Sequence, residues 1–277
     1  MKILPKLLSA VVMTISLSAF SQKNDSFEKI YYSNPEIPST EVAEVSTKNI
    51  VAQKELCKMA LNIKNLTDDF LLFVPQESKF IYPEGDKRPS SKEYFIEPNK
   101  SKTKTLEVNG GNEFLQESFS VELGYLFQIP TDGKPEKTPD YKLPAEKNSF
   151  TVGNFKVKLL KYSASTKEAK ATFEVVYTGN DMAIISPANL SVSATRKKSD
   201  ETVVYSNDNK KAKPVLLRNG NSTKVVAVFH IPGKIVDMQF ATMNLIWNNT
   251  FVETKPVMLP KVKFDVMMNK ELTEEKK

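Results

Sequence analysis

Adjacent polar side chains at two turn-like positions are the first places where residue types in this sequence could do chemistry. Asp68 and Asp69 are neighbours in LNIKNLTDDFLLFVP, and Asn180 and Asp181 are neighbours in FEVVYTGNDMAIISP. Calcium takes several oxygen ligands, and neither stretch contains the D-x-D-x-D-G frame of a calcium loop. Asn, Asp, Gly and Thr favour turns. We therefore interpret both tips as turns, keep these four residues as binding candidates, and predict no metal or cofactor.

Catalytic chemistry is difficult to assemble from the remaining residues. His230 is the only histidine, and neither G-x-S-x-G nor a glycine-rich phosphate motif occurs. Cys57 is the only cysteine, so no internal disulfide forms, and alternation in LCKMALNIK places its thiol on a buried side. The pattern around Trp247 favours burial over a sugar-stacking role. We predict that the protein is not an enzyme; an extracytoplasmic hydrolase with two carboxylates joined by the fold stays open as an alternative.

The N-terminus predicts export. MKILPK carries two lysines, LLSAVVMTISL is an apolar run of about a dozen residues, and small residues end at Ser21. This pattern indicates a signal peptide over residues 1–21, cleaved between Ser21 and Gln22. The apolar run is too short for a stable span, and no other stretch reaches spanning length. We therefore predict a periplasmic or secreted chain without a membrane span.

The charge of the mature chain is mild. Without the two lysines of the signal peptide, 37 basic residues face 33 acidic ones, and the formal charge falls from +6 to +4. Only three residues of the whole sequence are arginine. Surfaces that read phosphate or base edges favour arginine for its bidentate geometry. Nucleic acid is therefore not a predicted partner.

Strands are predicted along most of the chain. FSVELGYLFQI, NFKVKLL and KATFEVVYT alternate apolar and polar residues, as half-buried strands do. VVAVFHI is apolar on nearly both faces, as a central strand would be. No long segment shows a 3.6-residue period. Many short strands separated by turns indicate an antiparallel β-sandwich.

The strand pattern occurs twice. The stretch 173–187 repeats the pattern of 61–75 at a separation of 112 residues, and 221–228 repeats 101–108 at a separation of 120. The separation of 120 also matches the side chains of the next strand in pairs: Leu123 with Met243, Tyr125 with Leu245, and Phe127 with Trp247. The difference between the two separations predicts an insertion around residues 194–211.

The repeat fixes the predicted domain organisation. A weaker echo, Leu143-Pro144 and Leu259-Pro260, lies near the end of each copy. We predict an all-β chain of two tandem antiparallel immunoglobulin-like β-sandwiches related by internal duplication. The proline-rich stretch 130–149 is expected to hold an edge strand and the connection. The predicted segments after the signal peptide are a lead-in over 22–40, the first sandwich over 41–146, the second over 147–266 and a charged tail over 267–277.

The order of these motifs resembles immunoglobulin-like domains of exported bacterial proteins. LNIKNLTDDFLLFVP, YFIEPNKSKTKTLEV and FSVELGYLFQIP look like the first domain of periplasmic pilus chaperones, over residues 42–130 with an echo in 150–252. The resemblance implies a sandwich fold and, as one alternative, a chaperone-like module for surface or pilus subunits. Our leading prediction is a non-catalytic exported protein that binds another protein or a cell-envelope component through strand edges or loops.

Overall fold

The predicted all-β class is confirmed. The computed structural model describes residues 27–111 and 114–276, and strands dominate this described part. The predicted signal peptide lies outside the described residues. Among those residues, no helix has both the length and the apolar character needed to cross a bilayer. The described strands form six four-stranded antiparallel sheets, which pack as two sandwich units.

The element bounds follow chain order. The first half supplies β1 (Lys29–Tyr31), β2 (Ala43–Gln53), β3 (Leu56–Asn65), β4 (Phe70–Phe73), β5 (Lys79–Tyr82), β6 (Gly85–Lys87), β7 (Tyr94–Ile96), β8 (Ser101–Asn109), β9 (Ser118–Glu122) and β10 (Leu126–Ile129). The second half supplies β11 (Lys134–Pro135), β12 (Tyr141–Leu143), β13 (Ser149–Val152), β14 (Phe155–Ala164), β15 (Glu168–Tyr177), β16 (Met182–Ile185), β17 (Leu190–Thr195), β18 (Thr202–Ser206), β19 (Val215–Leu217), β20 (Ser222–His230), β21 (Met243–Trp247) and β22 (Phe251–Thr254). The C-terminal part supplies β23 (Val257–Met258), β24 (Lys263–Met267) and helix α1 (Lys270–Glu275).

Each unit contains three four-stranded sheets. One sheet, with three long strands, packs against two sheets of shorter strands. In the first unit, β1-β2-β3-β8 packs on β24-β9-β5-β6 and β23-β10-β4-β7. In the second unit, β13-β14-β15-β20 packs on β12-β21-β17-β18 and β11-β22-β16-β19. The chain passes between the two shorter sheets at a 3₁₀ turn, Pro75–Glu77 or Pro187–Asn189, whose proline is buried. Buried and exposed residues alternate along β3 and β15, so sequence alternation predicts these strands well.

The matching strand order confirms the duplication but corrects its alignment. Strands β3 and β15 correspond at the predicted separation of 112 residues, and so do β4 and β16. Strands β8 and β20 correspond at 121, because Asn109 and His230 hold equivalent places beside β3 and β15. The predicted alignment of 101–108 with 221–228 is therefore wrong by one residue. A shared Thr-Lys pair caused the error, and a one-residue slip exchanges buried and exposed faces.

The predicted alignment of the next strand, β9, with its counterpart β21 is wrong by more residues. Val121 corresponds to Leu245, a separation of 124, so the predicted match of Tyr125 with Leu245 is wrong. Leu143 corresponds to Val266, so the echo between the two Leu-Pro pairs is not a structural equivalence.

The position of the predicted insertion, around residues 194–211, is confirmed. Lys87 corresponds to Tyr205 at a separation of 118 residues, against 112 in the preceding strand. Ile96 corresponds to Leu217 at a separation of 121. The additional residues therefore lie on both sides of β18, in its hairpin with β17 and in the connection to β19.

The two units exchange strands. β12 pairs with β21 in the second unit, although it follows the first unit's β10 in the chain. β24 pairs with β9 in the first unit, although it lies near the C-terminus. β11 and β23 cross over in the same way, pairing with β22 and β10. The contiguous ranges 41–146 and 147–266 therefore do not match the units, because 134–143 and 257–267 belong to the opposite sandwiches.

An apolar interface joins the units. Its buried members are Phe70, Leu72, Ile129, Met182, Ile184 and Val252. FLLF in β4 and MAII in β16 are buried on both faces, because one face packs on its own core and the other on the neighbouring unit. Arg218 of the second unit forms an ion pair with Glu93 of the first, and its guanidinium lies 5.3 Å from the ring centre of Phe95.

Both ends of the described chain belong to the first unit. Ile30 in β1 is fully buried, and the backbone N–H of Tyr31 donates to Thr273 Oγ1 at 3.0 Å. Asn269 caps helix α1 by accepting from the backbone N–H of Leu272 at 3.0 Å. The lead-in predicted over 22–40 therefore contains a strand, β1, that packs into the first core, and the charged tail predicted over 267–277 contains helix α1.

Candidate binding face on the second unit

Asp68 and Asp69 close a turn in the first unit. The Asp69 carboxylate accepts hydrogen bonds from Gln128 Nε2 at 2.6 Å and from the Thr131 backbone N–H and hydroxyl at 2.8 and 3.1 Å. Asp68 accepts from Asn99 Nδ2 at 2.7 Å. These hydrogen bonds occupy both carboxylate oxygens of Asp69 and one of Asp68, and those of Asp69 tie the turn to the end of β10.

Asn180 and Asp181 are the equivalent pair in the second unit, and both are exposed. The Asp181 carboxylate lies 4.0 Å from the Lys255 ammonium group. Within the described residues, no hydrogen bond or ion pair connects this turn with the turn at Asp68 and Asp69. The four predicted binding candidates therefore lie in two separate turns.

Two other residues from the sequence lie in the cores. Cys57 is fully buried, which confirms the predicted burial, and burial raises the pKa of its thiol to about 12. Trp247 is also buried, with its ring 5.0 Å from Phe173 and 5.2 Å from Phe251 between ring centres. Its predicted burial is confirmed.

His230 lies at the exposed end of β20. Its Nδ1 is 2.9 Å from Asp208 Oδ2, and its Nε2 is 3.1 Å from Glu168 Oε2. Both ring nitrogens therefore face carboxylates.

The clearest difference between the units lies on the outer faces of two equivalent short sheets. On β24-β9-β5-β6, the outward positions form what we name the paired face: Lys79, Ile81, Asp86, Ser120 and Glu122. On β12-β21-β17-β18, the positions equivalent to these, in the same order, form the uncharged face: Ser191, Ser193, Val204, Asn244 and Ile246. Every charged residue of the first set is uncharged in the second. The exchanged strands carry a charge in both units, Asp265 on β24 and Lys142 on β12.

Ion pairs and hydrogen bonds cover the paired face. The Lys79 ammonium lies 3.2 Å from Asp86 Oδ2, and the Lys261 ammonium donates to Glu122 Oε1 at 2.6 Å. The hydrogen bond from Lys261 lowers the pKa of the Glu122 carboxyl. The Ser120 hydroxyl donates to Asp265 Oδ1 at 2.5 Å. Charged groups close to a sheet edge discourage another strand from pairing there.

On the uncharged face, side chains of the inner strand β17 are buried and the edge strand β18, which we call the rim, is exposed. Ser191 and Ser193 are buried in the sheet, and Val204 beside them is 59% exposed. A groove of about 530 Å³ runs over this face, with Ser193, Asn244 and Asn248 among its lining residues. Its far wall comes from residues 136–142 of the exchanged segment. The hydroxyl and amide groups of the groove can donate and accept hydrogen bonds without carrying charge, and the far wall adds the charged side chains Glu136, Lys137, Asp140 and Lys142.

The rim of the uncharged face is a free strand. β18 is the outermost strand of its sheet, and no described strand pairs with its other side. About half of the backbone groups of an edge strand point away from its partner and lack ladder hydrogen bonds. The sequence of β18, TVVYS, has no charge, proline or glycine, and it is the longest uncharged strand at an edge of the described sheets. Its equivalent β6 reads GDK.

Sequence reasoning missed this face. The signal was available in part, because TVVYS is an uncharged β-branched run in a lysine-rich chain. Its significance depends on its place at a sheet edge and on the equivalence of Val204 with Asp86, and both require the strand register.

Comparisons with known proteins give no identity. No family model matches the sequence, and no curated protein matches it. Among solved structures, the chain is similar to the tandem CBM22-1–CBM22-2 domains of Paenibacillus barcinonensis Xyn10C, at 8% identity and a TM-score of 0.22 over 87% of this chain and 98% of that chain. The C-terminal globular domain of a Pyrococcus abyssi oligosaccharyltransferase is 11% identical, with a TM-score of 0.19 over 87% of this chain and 48% of that chain. Scores at this level support no functional assignment.

Proposed function

We propose that this chain is an exported, non-catalytic binding protein that holds an extended segment of another polypeptide on the free edge of β18. Export rests on the predicted signal peptide, which lies outside the described residues. Binding rests on the uncharged face and its rim. The bound segment would extend the sheet β12-β21-β17-β18 by one strand.

One observation carries this proposal. At the position where the first unit has Asp86, ion-paired to Lys79, the second unit has Val204 with 59% of its surface exposed. Proteins commonly protect edge strands with charges, prolines or short length, because free edges pair with other chains. The first unit has this protection and β18 lacks it. A duplicated fold that keeps the protection in one copy and lacks it in the other is what selection for binding would produce.

The geometry also defines the class of segment. Backbone groups of β18 would supply main-chain hydrogen bonds, which are independent of partner sequence. Alternate side chains of the added strand would lie next to Val204 on the outer side of the sheet. Because Val204 is apolar and Ser193 beside it is small and neutral, β-branched or aromatic partner residues fit best there, and charged ones fit worst.

Selection from a random peptide library tests the proposal. The mature chain is used as bait, with Val204→Asp as the counter-selection variant and Leu160→Asp, on a different sheet, as the matched control. We expect selected peptides to alternate apolar residues, to bind V204D at least about tenfold more weakly, and to bind L160D as they bind wild type.

Backbone dependence is the second part of this test. N-methylation of alternate peptide amides removes donors to β18, and each lost hydrogen bond is worth about 0.5–1.5 kcal/mol. Methylation of the amides facing away should have little effect. Peptides that bind V204D as well as wild type, or that tolerate methylation at every position, would refute binding by strand addition.

The pilus-chaperone alternative receives less support from the interface between the units. A chaperone of that kind would need a basic pocket there for a partner's terminal carboxylate. The interface instead holds the apolar cluster around Leu72 and Ile184, and Arg218 beside it is engaged by Glu93.

The hydrolase alternative has one specific observation in its favour. Glu136 and Asp140 both line the groove on the uncharged face. Glycoside hydrolysis uses two carboxylates at a suitable separation. A screen of glycoside substrates with wild type and with Glu136→Gln/Asp140→Asn decides this alternative, because only a hydrolase would lose turnover in the double variant.

A further inference from the structure

The long sheet of the second unit carries a separate group of exposed basic side chains. On the outer face of β13-β14-β15-β20, five exposed lysines form what we name the lysine face: Lys156, Lys158, Lys161, Lys170 and Lys224. None of them forms an ion pair with another described residue. The acidic side chains of this face are Glu174, between Lys158 and Lys224, and Glu168, which is engaged by His230. The lysine face is therefore positive and its cations are free.

The equivalent face of the first unit is not basic. The equivalent positions, in the same order, are Glu44, Ser46, Lys48, Lys58 and Thr103. Glu44 also pairs with Lys64 at 3.0 Å, which neutralises a further cation. The positive charge is thus a property of the second unit and not of the duplicated scaffold.

An apolar side chain projects among these lysines. The register of β14 shifts between Leu159 and Lys161, and this bulge leaves Leu160 44% exposed. In the first unit no residue is inserted at this place, because Thr47 and Lys48 pair consecutively with Leu61 and Ala60. The irregularity of β2 lies further along, between Lys48 and Val51, and its apolar residue Ile50 is only 2% exposed. Bulges re-aim side chains. The outward leucine among the lysines therefore belongs to the second unit alone.

We propose that the lysine face and Leu160 dock on the surface of an anionic lipid bilayer. Exposed lysines are attracted to anionic headgroups, and an apolar side chain among them gains by entering the interface. The composition argues against other polyanions. The outward positions described on this face include no arginine, which phosphate-reading nucleic-acid surfaces favour, and no Trp, Tyr or Phe for stacking on sugars. This membrane role does not depend on strand addition at β18, which lies on a different sheet.

Vesicle flotation tests the proposal with the mature chain. The probes are phosphatidylcholine vesicles with and without phosphatidylglycerol. We expect binding only to the anionic vesicles, with affinity falling as salt rises. Lys161→Glu/Lys170→Glu should weaken binding at least about tenfold, since each lysine near an anionic surface contributes about fivefold. Leu160→Asn should weaken the binding that persists at raised salt.

The chain offers a matched control. Lys48 and Lys58 occupy the positions equivalent to Lys161 and Lys170, so Lys48→Glu/Lys58→Glu makes the same charge change on the other unit. We expect this control to retain binding within about twofold, because its face lacks the surrounding lysines and the exposed leucine. Thermal melting should show both double variants folded, since all four side chains are exposed. If the charge reversal disturbs folding, Lys161→Gln/Lys170→Gln replaces it.

Several outcomes would overturn the proposal. The first is an absence of wild-type binding to anionic vesicles. The second is an equal loss of binding in both double variants, which would indicate general charge attraction. Preferential binding to the soluble polyanion dextran sulfate, with vesicles unable to compete, would assign the face to an acidic polymer instead of a bilayer.

Discussion

The two units share a core plan and differ on their outer surfaces. The paired face of the first unit carries Lys79, Asp86 and Glu122, where the uncharged face of the second carries Ser191, Val204 and Ile246. Interior positions keep their apolar character because any change there costs packing energy, whereas exposed positions are free to vary. The comparison teaches that the two copies share a scaffold while only the first protects this sheet edge with charges, and that makes the second unit the place to look for function.

The exchange of strands extends this comparison to the whole chain. Phe264 and Val266 complete the first core from the far end of the sequence, and Tyr141 and Leu143 complete the second core from the linker. Neither unit is therefore made of one contiguous segment. A domain excised at residue 146 would lack an edge strand of its sandwich.

The largest expected effect comes from the exchanged aromatic residues. Phe264→Ala and Tyr141→Ala remove equivalent buried rings, and each should cost roughly 3–5 kcal/mol of unfolding free energy. Native-state hydrogen exchange should show F264A loosening β9 in the first unit and Y141A loosening β21 in the second. The reverse assignment, with each substitution loosening the unit nearer in sequence, would contradict the exchange.

A smaller effect distinguishes the two turns. A Cβ added at Gly179 would clash with the Tyr177 hydroxyl oxygen. We therefore expect Gly179→Ala to cost about 1–3 kcal/mol by overpacking. In the first unit, Thr67 is equivalent to Gly179, and the shorter Asn65 is equivalent to Tyr177. The Thr67 hydroxyl donates to Asn65 Oδ1 at 2.9 Å. Thr67→Ala removes that hydrogen bond and should cost about 1 kcal/mol. Denaturant titration measures both, and equal losses would show that the turns are not built differently.

The smallest effect concerns acid stability of the paired face. The Glu122 pKa is lowered in the folded state by the hydrogen bond from Lys261. The unfolded state therefore binds a proton more readily, and the contribution is present above the unfolded pKa of about 4.3 and lost as pH falls through the folded value. Because the pair is exposed, we expect Glu122→Gln to change stability near neutral pH by only about a few tenths of a kcal/mol.

The control for this prediction lies at the equivalent position. Ile246→Gln introduces no titrating group and removes none, so the pH dependence of unfolding should match wild type. A steeper loss of stability in acid for E122Q than for wild type would give the opposite sign and contradict the assignment.

Much of the fold could be predicted because alternation encodes strands. The period of two along β3 and β15 is visible in the sequence, and the duplicated 3₁₀ turns begin with proline at the same offset. The apolar run VVAVFHI was less informative, because it predicted a central strand and β20 lies at the edge of its sheet. The strand exchange could not be predicted, because β12 and β24 have the same alternation and either could pair with β9 or with β21. Only the length and path of the connections decide between these pairings.

The candidate site was beyond the sequence for a related reason. The equivalence of Asp86 and Val204 depends on the six residues added before β18, which cannot be placed without the register. The acidic turns attracted attention because Asp68 and Asp69 are conspicuous, yet both oxygens of Asp69 and one of Asp68 accept hydrogen bonds within the protein. An unprotected edge is defined by missing charge, and a sequence pattern does not show which strand lies at an edge.

Amide hydrogen exchange with and without a library-selected peptide tests the central claim most directly. Binding by strand addition predicts new protection at alternate amides of β18, Thr202–Ser206, and no change in β6, Gly85–Lys87. Protection confined to the groove residues Asn244 and Asn248, or equal protection of β6 and β18, would contradict it.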